Sequence, residues 1–244
     1  HRSAVPMLLH TKILADETLA PYRPRYRPRG QRLSDDEAWQ TIESLCPGIE
    51  RNYVRLLIAA KGCVELGASM PPLIFAHGTS GAAKTATVSV AAGICGDTSR
   101  RISLCRDEDR FRMGIMEARD CGTFVSVDEA LKDARKDRID PVAALNPLLK
   151  LTSLSTSHKL YQGPVPMGTV PVVVLTDVEL ADGIRNDQQL GRRMVEVPLS
   201  GEKQWADLWN ACNCDGTNLR LIGEPYCIAA DAILSGVVDE FFNG

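Results

Sequence analysis

An α/β fold built on a mostly parallel sheet is what this sequence predicts, and three observations predict it. Short apolar runs recur at 71–78, 123–127 and 169–176, each with the length and the aliphatic content of a strand buried on both faces. Stretches with the spacing of amphipathic helices alternate with them. The first run ends in glycine and passes through a loop of small residues, GTSGAAKT at 78–85, into one of those helices. Repeated alternation of this kind marks a parallel sheet, because parallel neighbours need a long crossover between them.

Bulk properties fit one substantial core with small helical additions. Of the 244 residues 44% are hydrophobic but only 5% aromatic, so the core rests on Ala, Val, Leu and Ile. A net charge of −3 excludes a generally basic nucleic-acid coat, though not a few cations gathered in one channel. Cys46, Cys63, Cys95, Cys105, Cys121 and Cys227 each stand singly in apolar stretches, and Cys212 and Cys214 form a CxC with no partner pair at zinc spacing. Free thiols in a reducing, cytoplasmic compartment are the expectation. His10 and His158 lack ligand-spaced partners, so no metal other than Mg²⁺ is expected. No apolar run approaches the ~20 residues that span a bilayer, so no membrane is expected either. The start at His1, without a hydrophobic signal segment, reads as a piece cut from a longer chain.

In chain order, residues 1–33 end in APYRPRYRPRGQR, whose prolines favour an extended segment. This is either a linker or an arm in which Arg23, Arg25, Arg27 and Arg29 touch phosphates while Tyr22 and Tyr26 stack on bases. Ser34 offers an N-cap hydroxyl, and Asp35, Asp36 and Glu37 suit the positive end of a helix beginning there. After Pro47 and Gly48 a second amphipathic helix covers 50–66, so 34–70 form a small helical subdomain. The core covers 71–201, with a helix at 84–95, a further strand at 101–105 and helical spacing at 107–121. Residues 202–244 are a mostly helical tail, interrupted near 213–216, in which Trp205 and Trp209 lie four apart and read as packing groups.

The loop at 78–85 has what phosphate binding requires: backbone amides facing one concavity, a lysine, and a hydroxyl for Mg²⁺. Gly78, Thr79, Ser80, Gly81, Ala82 and Ala83 would form the cradle for ATP, Lys84 would reach its terminal phosphates, and Thr85 would hold Mg²⁺. The strict pattern has glycine where this chain has Ala83, and a methyl is tolerable there if φ is negative. His77, just before the loop, reads as structural. The run at 123–127 ends in Asp128 and Glu129. Downstream of such a loop, Asp128 would hold Mg²⁺ and Glu129 would polarise the attacking water, which makes the chain a hydrolase.

Residues 150–176, KLTSLSTSHKLYQGPVPMGTVPVVVLT, narrow the expectation. Leu149, Lys150 and Thr152, then Lys159, Leu160 and Tyr161, then VVVLT ending at Thr176, resemble the superfamily 3 helicases, especially phage and poxvirus primase–helicases. The likeness covers about 71–200, with its elements in the family's order. The family places Asn at the sensor position. Thr176 departs from it, although a hydroxyl can make a similar hydrogen bond, and Asp177 follows, so either residue is a candidate sensor. QQLGRRMVEVPL at 188–199 is similar to the family's paired-arginine segment before a last strand.

The resemblance implies a three-layer α/β/α P-loop domain that assembles as a homo-oligomer, usually a hexamer, and moves along single-stranded DNA. It implies that Arg192 or Arg193 reaches the ATP of a neighbouring subunit as an arginine finger, with Arg185 a weaker candidate. It also implies that Lys159, Tyr161 and a hairpin near 162–168 line a DNA channel. A primase or polymerase domain would precede this segment in the longer protein. Two other functions fit the same residues. One is a ring ATPase acting on protein or as a loader, and the other a nucleotide-binding assembly module with weak hydrolysis, which Ala83 and Thr176 would signal.

Overall fold

The computed structural model describes residues 33–65, 72–95, 99–102, 124–128, 155–159, 163–167, 171–177, 182–201 and 224–242, with the single positions 140, 145, 148 and 179. The described residues divide into two compact units. One holds residues 33–65, 86–95 and 224–242; the other holds 72–85 and 99–201.

The first unit is helical. Helix α1 (Asp35–Leu45) starts where the Ser34 hydroxyl accepts from the Glu37 amide while the Glu37 carboxylate accepts from the Ser34 amide, a reciprocal capping box. Ala38, Trp39 and Ile42 form its buried stripe. Gly48, at φ +71°, lets the chain turn into α2 (Arg51–Glu65), which buries Tyr53, Val54, Leu57 and Ile58. The long helix α5 (Glu224–Phe242) packs on both, burying Tyr226, Ile233 and Val237. Arg55 of α2 ties the three together, pairing with Asp35 at 3.3 Å and with Glu240.

The second unit is built on a five-stranded parallel sheet. Its strands are β1 (Leu73–Gly78), β2 (Ser99–Ile102), β3 (Phe124–Asp128), β6 (Val172–Thr176) and β7 (Met194–Leu199), in the order β2-β3-β6-β1-β7. The expected α/β class with a parallel sheet is therefore what the chain adopts. The three central strands are the three apolar runs, and β1 and β6 are buried along nearly their whole length, as strands flanked on both sides must be. Helix α3 (Lys84–Ile94) follows β1, its first two residues within this unit.

Two details differ from expectation. Strand β2 begins at Ser99, two residues before the apolar run at 101–105, because it pairs with β3 alone and an edge strand accepts polar residues. The hairpin expected near 162–168 starts earlier, with β4 (Ser155–Lys159) antiparallel to β5 (Gly163–Met167). STSHK lacks an apolar alternation to announce it, and backbone pairing with β5 makes it a strand.

The expected arm at 1–32, the helix at 107–121, the interruption at 213–216, Trp205, Trp209, Cys105, Cys121, Cys212 and Cys214 lie outside the described residues. Cys46, Cys63 and Cys95 are not in disulfides, and the first of them is buried. No helix among the described residues is long and apolar enough to cross a membrane.

Candidate functional site

The topology decides where a ligand can sit. The chain leaves β1 toward β2 in one direction across the sheet and leaves β6 toward β7 in the other, although β1 and β6 are neighbours. Adjacent strands whose connections diverge open a crevice at their C-terminal ends, the usual ligand site of such sheets. The loop at 78–85 begins at this point, and Thr176 ends β6 beside it, with His77 opposite Thr176.

Gly78 ends β1 for a packing reason. A Cβ there would lie 2.0 Å from the Leu199 carbonyl oxygen at the end of β7, so only glycine allows the two strand ends to approach this closely. Thr79, Ser80 and Gly81 are exposed, Ala82 is buried, and Gly81 takes φ +86°. The condition under which Ala83 would be harmless is not met. Its φ is +61°, the left-handed region where a Cβ crowds the following carbonyl, so the methyl sits where glycine would be free of strain.

Lys84 opens α3 and folds back over the loop. Its ammonium donates to the carbonyl oxygens of Gly78 at 2.7 Å and Thr79 at 2.9 Å, and to Asp177 Oδ1 at 2.7 Å. Thr85 follows on the first turn, half-buried. Asp128 ends β3 opposite Leu175 of β6, with β6 between it and β1. Two strand spacings, about 10 Å, therefore separate Asp128 from the end of β1. A hydroxyl such as that of Thr85 and a carboxylate such as that of Asp128 are hard oxygen donors, the kind that Mg²⁺ takes. Among the described residues no cluster of three or more His, Cys, Asp or Glu could hold a metal ion by itself.

The arginines lie elsewhere. Met194 starts β7 opposite Leu73, the first residue of β1, and the Leu73 amide donates to the Arg193 carbonyl at 2.7 Å. Arg192 and Arg193 thus flank the end of β1 farthest from the loop, about 16 Å from Gly78 along the strand. Arg192 is exposed and Arg193 half-buried. Asp187 holds the preceding turn, accepting from the amides of Gln189 and Leu190. Gly191 is compelled there, since a Cβ would meet the Arg185 carbonyl oxygen at 2.3 Å.

Arg185, in the short helix α4 (Asp182–Arg185), bonds Glu196 of β7 through Nε at 3.0 Å and Nη2 at 2.7 Å. His77 Nε2 lies 3.0 Å from the same carboxylate. The Arg185 hydrogen bond, then its charge and that of His77, hold the Glu196 carboxyl below its usual range against the opposing effect of burial. This His77–Glu196–Arg185 cluster was not foreseen from the sequence. Its available signal was a lone charge, Glu196, inside the otherwise apolar MVEVPL.

Asp177, named from the sequence only as an alternative sensor, proves to be the ion-pair partner of Lys84, while Thr176 is buried at the strand end. Glu129, Tyr161, Lys150 and Thr152 lie outside the described residues. Lys159 ends β4 opposite Gly163, at the turn of the hairpin.

No family model matches the sequence, and no curated protein matches it. Solved structures similar to the chain are described as helicases. One is "The X-ray structure of JCV Helicase", 15% identical, covering 84% of this chain and 52% of that one at a TM-score of 0.45. A JCV helicase bound to a thiazolopyridine compound is 14% identical and covers 99% and 62% at a TM-score of 0.48. "SCCmec type IV Cch - active helicase" is 12% identical and covers 87% and 38% at a TM-score of 0.45. The chain spans less than two thirds of the length of each of these, and at such identities and scores the likeness assigns no residue a role.

Proposed function

We propose that this chain is the ATP-hydrolysing motor of a DNA helicase of the superfamily 3 type, working as a ring of identical copies. The observation that carries the reading is the convergence at one end of the sheet of the loop bearing Lys84, the Thr176–Asp177 strand end and Asp128. In this reading the loop amides from Gly78 to Ala83 hold the phosphates of ATP and Lys84 neutralises them. Thr85 and Asp128 would hold Mg²⁺, which when bound shields the phosphate charge. Glu129 accepts a proton from the attacking water, and Thr176 hydrogen-bonds that water or the γ-phosphate.

The ~16 Å between Arg192–Arg193 and Gly78 supports a finger that acts on a neighbouring copy, since an arginine cannot bridge that length within its own subunit. The position of Lys159 at a hairpin turn supports contact with single-stranded DNA there, together with Tyr161. An origin in a phage or mobile-element replication protein, with a primase or polymerase domain upstream, belongs to the same reading.

The test is ATP hydrolysis with and without single-stranded DNA. Lys84→Ala is expected to abolish hydrolysis altogether, and Lys159→Glu to leave the basal rate while removing stimulation by DNA. Stimulation that survives Lys159→Glu would point instead to a ring ATPase acting on protein or as a loader. A second reading has its own observation, the positive φ of Ala83, which suits a phosphate loop under relaxed demand. Wild-type protein that binds ATP but does not hydrolyse it would favour that assembly module.

A further inference from the structure

An ammonium group has three protons, and in Lys84 all three are engaged, two by carbonyls of its own loop and one by a carboxylate distant in sequence. The lysine side chain is only 10% exposed, whereas Asp177 is 50% exposed. Asp177 follows the last residue of β6, whose neighbour β1 leads into the loop, so the contact is set by strands and not by chance of a mobile side chain.

A phosphate entering the loop needs the same proton that Asp177 takes. Two anions cannot share the position, because like charges a few ångströms apart repel and only one can be compensated by Lys84. The half-exposed carboxylate can turn into water at little desolvation cost, while Lys84 stays tethered by the Gly78 and Thr79 carbonyls. We propose that Asp177 is a built-in competitor for phosphate: it holds Lys84 while the loop is empty, yields when nucleotide binds and retakes the lysine as product leaves. This rests on the reading of residues 78–85 as a nucleotide site. It leaves Thr176 as the residue that meets the attacking water, and it gives Asp177 a part in setting affinity and product release.

The experiment compares wild type with Asp177→Asn and Asp177→Ala in binding of a fluorescent ADP analogue, in EDTA and again with Mg²⁺. A partly exposed ion pair removed from the competing state predicts binding about two- to fivefold tighter in both buffers, through slower release. The gain must persist in high salt, where the general field of a carboxylate is screened but a direct contact is not fully so. Unchanged or weaker binding in EDTA overturns the proposal, as does a gain that vanishes in high salt. Lys84→Ala separates the two levels. If it binds the analogue as well as wild type does, the nucleotide reading itself fails; if it loses binding while Asp177→Asn shows no gain, only the competitor fails.

Discussion

Ala83 carries the most informative torsion in the molecule. A left-handed alanine costs ~1–2 kcal/mol relative to glycine's freedom there, offset in part by the ~0.5–1 kcal/mol that glycine loses in ordering. Ala83→Gly is therefore expected to stabilise the protein by roughly 0.5–1 kcal/mol, seen as a rise in Tm of about 1–4 °C. A Tm that falls would mean the wild-type loop avoids the strained conformation in solution. At this scale the sequence was legible in identity and not in conformation. GTSGAAKT names the loop, but whether residue 83 takes positive φ depends on how Lys84 starts α3 and folds back on Gly78 and Thr79.

Strand β7 shows how an element acquires a role that its own residues do not announce. It pairs with β1 from Leu73 to Gly78, and its Glu196 lies on the face shared with His77. Arg185 and His77 keep the Glu196 carboxyl ionised below its ordinary value of 4.5. Depression of a folded-state pKa gives stability that is present above the unfolded value and lost as pH falls through the folded one. Wild type should accordingly be more stable than Glu196→Gln near neutral pH, with the difference shrinking below about pH 4, as read from denaturant midpoints across that range. A gap that does not change with pH would show that the carboxylate charge contributes nothing. The family resemblance placed a last strand after the paired arginines, while the partners of its one charge come from two other elements, β1 and α4.

At the scale of the whole molecule, the proposed ring would make a complete site a property of two copies, because the length of β1 separates Lys84 from Arg192 and Arg193. Lys84→Ala and the double variant Arg192→Ala/Arg193→Ala should each be inactive alone. Mixed in equal amounts under conditions of subunit exchange, they should regain hydrolysis at roughly a quarter of wild-type interfaces, those pairing an intact lysine with an intact arginine. Failure to regain any activity would remove the shared site and leave the arginines with a structural part, consistent with the Arg193 carbonyl bonding Leu73.

What the sequence determined by itself was local. The strand runs at 71–78, 123–127 and 169–176, the Ser34 cap, the loop at 78–85 and the α/β class follow from periodicity, burial and turn chemistry within a few residues of one another. Only the tertiary structure decided the order β2-β3-β6-β1-β7, which sets β6 beside β1 and so brings Asp177 onto Lys84 across 93 positions of chain. Parallel strands are joined by crossovers that carry no register information in sequence, so which carboxylate meets which lysine is settled by packing of the sheet.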